Sequence, residues 1–392
     1  MKLLVNSTPL IPPLSGIGRY TQQLMLHLFK DKSIDEIAGF VPYAFYKQEK
    51  LKQIVESLEL GEKNSMTGAS SKLARIKQVA KKIPAARYLK NKIQQTLVEQ
   101  KFKQYRDYLY WESNYVLAPF DGTKVATVYD LSHLRYPDFH PADRLRWLDK
   151  HLHHTIENAD ALVAISEFSK QEIISVFNVD PTKISIVPPA VSSVFRANHS
   201  TEQLLKLKKE YELPKQFVLS VGTLEPRKNI KGLIQAFSLL PQAVRSCFPL
   251  VFVGARGWHM EEIDALLKPM VNRGEVILLG YVAQQDMPLL YSLATVFAYV
   301  SLYEGYGMPV AEAMCSGTAV LTANVASMPE VAAGCCELVN PSDIEQISNK
   351  LNELIEDSDK RNNLQEKAKM HSEEYRWENS SAQLVKAFQS II

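Results

Sequence analysis

The stretch Tyr303-Glu304-Gly305-Tyr306-Gly307-Met308-Pro309-Val310-Ala311-Glu312-Ala313-Met314 leaves few folds open. Ala294 to Val300 before it reads as a short buried strand. Pro309 to Met314 opens a helix, because proline is favoured in a first turn. Gly305 and Gly307 lie between them. A strand that ends in a glycine turn and re-enters a helix belongs in a parallel α/β sheet. It also brings backbone N–H groups and the positive end of a helix dipole to one point, which suits an anion such as phosphate. Glu304 and Glu312 suit a different partner. A carboxylate accepts hydrogen bonds from neutral hydroxyls, as on ribose or a sugar ring. The expectation is a site that holds a sugar and a phosphate together.

The same alternation fills the chain. Residues 2–6 form an apolar run, a proline-rich turn follows, and Tyr20 to Phe29 has helical periodicity. Strands are expected at 37–46, Tyr115 to Ala118, Val125 to Tyr129, Ala161 to Ile165 and Ile184 to Val187, with a clear helix from Arg144 to Asn158. Residues 48–108 read as mostly helical, and Ser166 as a helix N-cap. After a polar linker, Ser192 to Glu202, a second series begins at Phe217 to Gly222. It continues through Leu250 to Gly254, Val276 to Leu279, Val296 to Val300, Ala319 to Thr322 and Glu337 to Val339. Helices are expected at Ile230 to Leu239, Met260 to Met270 and Met287 to Ser292. The fold class is therefore α/β, with two doubly wound, Rossmann-like domains at 1–195 and 196–375 and a last helix in 376–392. Ligands of such sheets bind beyond the carboxyl ends of the strands, so the expected site is the cleft between the halves.

Bulk properties narrow the class. No apolar run approaches the ~20 residues that span a bilayer, and Met1 to Val5 reads as a first strand rather than a signal peptide. The four cysteines, Cys247, Cys315, Cys335 and Cys336, fit no zinc spacing. A reducing cytoplasm is the expected compartment. Net charge is +2, so no nucleic-acid partner is implied. Between Lys72 and Arg106, however, 11 Lys or Arg stand against Glu99 alone. Such a segment either covers the core as a solvated helix or makes a peripheral contact with anionic lipid at the inner membrane face.

Two further turns carry chemistry. Gly16-Ile17-Gly18 lets the backbone come close to a ligand but lacks the third glycine of a dinucleotide fingerprint, since position 21 is Thr. Gly222-Thr223-Leu224-Glu225-Pro226-Arg227-Lys228-Asn229 puts two cations at a strand's carboxyl end. Arg clamps a diphosphate with a fork, and Lys adds a point charge.

With these residues together, the sequence resembles the retaining glycosyltransferases of the GT-B fold, family 4, in particular their O-antigen and exopolysaccharide mannosyltransferase-like members. The resemblance covers nearly the whole chain. It rests on Ser15 to Tyr20, Tyr129-Asp130-Leu131-Ser132, Ala164 to Ser169, Val221 to Asn229, and Glu304 to Pro309 with Glu312. It implies an acceptor-binding N-terminal domain, a nucleotide-sugar-binding C-terminal domain and a closing helix that crosses back onto the first. Arg227 and Lys228 would hold the donor diphosphate, Glu304 the sugar hydroxyls and Glu312 the ribose. Backbone N–H groups at Tyr306, Gly307 and Met308 would meet sugar and phosphate. Gly16 and Gly18 would face them across the cleft, and Tyr281 and Val282 would lie at the base.

The implied reaction moves mannose or glucose, with retention, from a nucleotide-diphosphate sugar to a glycan or lipid-linked acceptor in polysaccharide biosynthesis. GDP-mannose or a UDP-hexose is the expected donor, with no cofactor and no obligatory metal. Glu304→Ala is expected to cut turnover and spare the fold. One departure stands out. Tyr129 occupies the place of a family histidine that contacts the donor sugar, and His133 is an alternative reader. Asp357-Ser358-Asp359 matches a metal-binding string of other glycosyltransferases but lies in an acidic helical stretch. His151, His153 and His154 share a helix without a zinc geometry. Two other readings stay open: a nucleotide-sugar dehydrogenase or epimerase, and a non-catalytic sugar-binding protein of the same fold.

Overall fold

Continuous apolar runs such as Leu3-Leu4-Val5 and Phe217-Val218-Leu219 are what a strand buried on both faces requires, and all six residues are fully enclosed. The computed structural model describes residues 1–42, 44–59, 100–257 and 260–392. It builds two sheets around these runs. The first contains β1 (Lys2–Asn6), β2 (Glu36–Val41), β3 (Ala44–Tyr46), β4 (Leu109–Glu112), β5 (Lys124–Val128), β6 (Ala161–Ala164) and β7 (Ile184–Ile186). Their order is β3-β2-β1-β4-β5-β6-β7. The second contains β8 (Val218–Val221), β9 (Leu250–Val253), β10 (Val276–Gly280), β11 (Val296–Tyr299), β12 (Ala319–Ala323) and β13 (Glu337–Val339), in the order β10-β9-β8-β11-β12-β13. Every pairing is parallel except β2 with β3. Strand order reverses between β1 and β4 in the first sheet and between β8 and β11 in the second, where Val218 pairs with Val296. Ligand crevices form at such switch points.

Several expectations are corrected. The strand placed at Tyr115 to Ala118 is instead Leu109–Glu112, all four residues buried. Tyr115 has a φ of 63° and cannot continue an extended run; its ring packs against Tyr129 instead. The run at 37–46 is two strands, because the chain turns at Pro42 and folds back antiparallel. The linker Ser192 to Glu202 holds a short 3-10 turn, Ser193–Arg196. It then enters a helix, Thr201–Glu210, started by a reciprocal Ser200–Gln203 capping box. Most of the basic segment, residues 72–99, lies outside the described residues.

The last helix, Trp377–Gln389, packs on the helix Gly16–Leu28 and on β6 and β7 of the first sheet. Trp377, Leu384, Val385 and Phe388 are buried there, each stabilising the contact by about 1.5–3 kcal/mol. Arg196 links the crossover to this region by donating to the carbonyls of Val191, Ser372 and Tyr375. No helix among the described residues is long and apolar enough to cross a membrane.

Candidate functional site

Arg227 and Lys228 follow β8, and Glu304 follows β11. Because these strands are neighbours at the switch point, three residues distant in sequence meet at one sheet edge. The Arg227 guanidinium donates to Glu304 Oε2 at 2.8 Å, to Glu225 Oε1 at 2.8 Å and to the Tyr303 carbonyl at 2.8 Å. Lys228 Nζ lies 2.6 Å from Glu304 Oε1, and the Tyr299 hydroxyl donates to the same oxygen at 3.0 Å. All of these side chains are largely buried. Burial alone would raise the Glu304 pKa, but Arg227 and Lys228 outweigh it and bring the carboxyl down to about 2. Burial lowers the Lys228 pKa despite Glu304. Burial also opposes the Arg227 charge, yet Glu304, Asp130 and Glu225 together raise its pKa.

The loop after Glu304 has the expected form. Gly307, at a φ of 106°, caps the helix Met308–Cys315, and a Cβ there would meet Met328 Cε at 2.2 Å. The N–H groups of Tyr306, Gly307 and Met308 have no hydrogen-bond partner among the described residues. The Ser327 hydroxyl lies 2.8 Å from the carbonyls of Glu304 and Tyr306 and ties the loop down. Glu312, one helical turn further on, accepts from the Tyr291 hydroxyl at 2.9 Å. Burial pushes its carboxyl up to about 7, against Tyr291 and the nearby Arg19.

Lys228, Tyr299, Glu304, the loop Gly305 to Met308 and Glu312 line a cleft of ≈ 360 Å³ whose facing wall carries Gly16, Arg19, Tyr129 and Asp130; Arg227, bonded to Glu304, is not among the lining residues. Gly16 and Gly18 are first-turn helix residues rather than a loop. Ser15 caps that turn, accepting from the Gly18 N–H, and a Cβ on Gly18 would meet the Pro9 carbonyl at 2.4 Å. Tyr129 lines the cleft, but its hydroxyl donates to the Ser113 carbonyl at 2.7 Å. In this geometry that hydroxyl is bonded inside the first lobe. Tyr281 is 80% exposed and Val282 is buried; neither lines the cleft with the others.

Contacts between the lobes escaped the sequence reading. Ser166 caps the helix Glu167–Phe177 as expected, accepting from the Ser169 N–H at 3.0 Å. Its hydroxyl also donates to the Gly305 carbonyl of the other lobe at 2.7 Å. Glu330 accepts from the N–H groups of Glu167 and Phe168 at 2.9 and 3.3 Å, and Tyr303 donates to Glu172. A polar pair of serines signals only a cap in sequence; its second partner is visible only in three dimensions. A Cβ on Gly305 would sit 2.2 Å from the Tyr129 carbonyl oxygen. Gly305→Ala is therefore expected to push the lobes apart and lower kcat/KM by about 10–100-fold, the cost of a misplacement near 1 Å. Steady-state kinetics would check this, and undiminished activity would mean that the contact is absent from the reacting state.

The Asp357-Ser358-Asp359 string is a helix cap, Asp357 accepting from the Lys360 N–H. Of the helical histidines, His151 packs on Trp147 and His153 on Phe177, and His154 bonds Asn158. The described residues hold no group of three or more His, Cys, Asp or Glu arranged to bind a metal.

Known families match both halves of the chain. A family model described as glycosyl transferases group 1 matches residues 204–371, and one described as glycosyltransferase family 4 matches residues 105–193. The chain is 33% identical over 392 residues, the whole of both proteins, to the O-antigen chain mannosyltransferase B of Escherichia coli. It is 32% identical over 241 residues to the serotype-specific mannosyltransferase WbdA of Escherichia coli, covering 60% of this chain and 29% of that protein. Among solved structures, HepE of Anabaena in complex with UDP-glucose superposes with a TM-score of 0.70 at 17% identity, over 100% of both chains. WaaG, a glycosyltransferase involved in lipopolysaccharide biosynthesis, gives 0.69 at 15% identity over 98% of both.

Proposed function

The chain belongs to the family 4 glycosyltransferases of the GT-B fold, and from that premise we propose that it transfers mannose from GDP-mannose to a glycan acceptor in O-antigen-type polysaccharide biosynthesis. The observation that carries the proposal is the convergence of Lys228, Glu304 and the unpaired N–H groups of Tyr306, Gly307 and Met308 on one cleft, with Arg227 bonded to Glu304. That this chain aligns end to end with an O-antigen mannosyltransferase supports mannose as the sugar. None of the relatives reported above is a dehydrogenase or an epimerase.

The chemistry follows from where charge develops. As the donor bond breaks, negative charge gathers on the diphosphate and oxocarbenium character on the anomeric carbon. Arg227, Lys228 and the N-terminus of the helix Met308–Cys315 stabilise the first. Glu304 holds sugar hydroxyls and Glu312 the ribose; Tyr281 and Val282, outside the cleft lining, take no part in this proposal. The leaving phosphate oxygen takes the proton of the attacking acceptor hydroxyl on the same face. The α configuration is then retained, and two fixed cations do the work that needs a metal elsewhere. The basic charge of residues 72–106 supports an acceptor carried on anionic lipid.

A thermal-shift series with GDP-mannose, GDP, UDP-glucose and UDP, followed by transfer to octyl α-mannoside with and without chelator, tests the proposal. A ligand that binds only the native state raises the apparent stability. GDP-mannose is expected to give the largest shift and an α-linked product that forms equally well in chelator. A shift and transfer with UDP-glucose alone would replace the donor. An inverted product would overturn the mechanism.

The Glu312 carboxyl gives a further expectation. Its pKa near 7 lies above the unfolded value, so ionised Glu312 is the costly form of the free protein and the form that accepts ribose hydroxyls. Donor kcat/KM is therefore expected to fall severalfold as pH drops from above to below about 7, since kcat/KM reports groups of the free enzyme. Glu312→Gln should lower donor affinity and flatten that profile. A break that survives the substitution would assign it to another group.

A further inference from the structure

The charged residues that line the cleft are Arg19, Asp130, Lys228, Glu304 and Glu312. All but the first are already bonded. Lys228 meets Glu304 and the Tyr299 hydroxyl. Asp130 accepts from the Ser132 N–H at 2.9 Å and from its hydroxyl at 2.6 Å. Glu304 holds Arg227 as well, and Glu312 accepts from Tyr291. The Arg19 side chain has no hydrogen bond or ion pair among the described residues, and it is exposed.

The backbone that carries Arg19 is nevertheless fixed. Arg19 closes the first turn of the helix Gly16–Leu28, which Ser15 caps, and shares a face with Gly16 three residues earlier. Tyr20 beside it is buried. Its hydroxyl donates to the Val187 carbonyl at 2.9 Å, and its ring packs edge-on against Tyr129 and Trp377. A ligand would therefore have to order only the guanidinium arm. Gly16 is not required by the fold: its φ lies outside the left-handed region, and a Cβ there would meet nothing within 4 Å. Without a side chain at Gly16, the space beside Arg19 stays open to the cleft.

Charge indicates what belongs in that space. On the second lobe, Glu304 and Glu225 already match Lys228 and Arg227. In the lining itself Arg19 and Lys228 stand against Asp130, Glu304 and Glu312, so without Arg19 the wall would repel a phosphate. An entering diphosphate meets Arg19 as the unmatched cation. The leaving nucleoside diphosphate carries one more negative charge than the bound donor and draws on it further. Arginine's planar fork binds two phosphate oxygens at once.

Resting on the reading of the chain as a nucleotide-sugar glycosyltransferase, we propose that Arg19 binds the donor diphosphate from the first lobe, opposite Lys228, and stabilises it as it leaves. The test uses the full chain, with GDP and guanosine as competitive probes and GDP-mannose as donor. UDP, uridine and UDP-glucose replace them if the donor is a UDP-sugar. Arg19→Gln is expected to weaken GDP by about tenfold and to lower donor kcat/KM by about 10–100-fold. Guanosine affinity and the unfolding temperature of the ligand-free protein should not change, since the side chain has no partner to lose. Arg19→Lys keeps the charge and loses the fork, so it should recover part of both losses. GDP affinity equal to the wild type, guanosine affinity that falls in step with GDP, or a lower unfolding temperature without ligand would each overturn the proposal. If the wild type binds neither GDP nor UDP, the proposed function falls and this inference with it. Wild-type binding and transfer with an unaffected Arg19→Gln overturns the inference alone.

Discussion

Glu304→Gln is expected to lower kcat by about 10²–10³-fold, a loss of about 3–4 kcal/mol of transition-state stabilisation. The amide keeps the shape but cannot fix two cations and then hold sugar hydroxyls as an anion. Glu304→Ala should lose as much activity and also stability, which revises the expectation that the fold is spared. Lys228 lies 2.6 Å from Glu304 and is largely buried. Removing one partner of a buried pair typically costs about 3–5 kcal/mol, because the other charge is left uncompensated. The wild-type contribution of this carboxyl has a definite pH window. Its folded pKa, about 2, lies below the unfolded value near 4.5. Its stabilisation is therefore complete above the unfolded value and is lost as pH falls toward 2. Thermal unfolding of the Ala variant with and without GDP checks the account. The nucleotide should restore more stability to Glu304→Ala than to the wild type, because its phosphates replace the missing anion. Wild-type turnover in Glu304→Gln would sink the assignment of the site.

Arg227→Ala is expected to raise donor KM and lower kcat, with kcat/KM falling by about 10²–10³-fold, the range seen when a fixed group facing developing charge is removed. Arg227 binds Glu304, Glu225 and the Tyr303 carbonyl at once, so its loss also loosens the loop that carries Glu304. Arg227→Lys separates the two parts. A lysine keeps the charge but not the planar fork, so it should recover donor affinity more than turnover. Donor binding by calorimetry beside steady-state rates makes the distinction. If Arg227→Lys matched the wild type in both, the guanidinium geometry would have no part in the reaction.

How much of this was legible in sequence varied by element. The second sheet was read nearly strand for strand, because its runs are apolar and separated by glycine or proline turns. The convergence of Arg227, Lys228 and Glu304 followed from their places at strand ends. Errors arose where local pattern misleads. Tyr115 to Ala118 looks like a strand but begins with a left-handed residue, while Leu109–Glu112 hides a buried carboxylate at its end. Glu112 is tolerated there because Asn6 and the Asn114 N–H donate to it at 2.7 and 2.8 Å. No spacing rule would reveal those partners. The same holds for the Tyr129 hydroxyl, whose direction is set by packing rather than by neighbours in the chain, and for the second partner of Ser166.

The quartet of Glu225, Arg227, Lys228 and Glu304 has a consequence for selectivity. Two bare cations in a cleft would attract many polyanions, RNA and free nucleotides included. Here two carboxylates already match the two cations, so the sum is neutral and the far field is weak. On the proposed reading, an incoming diphosphate would displace Glu304 from its partners, and the displaced carboxylate would then need hydroxyls to hold. A nucleotide alone satisfies the cations and strands the carboxylate. A free sugar meets a carboxylate that is still occupied. On that reading, only a molecule bearing both groups would complete the exchange, and the quartet would work as a coincidence detector for a phosphate and a sugar presented together.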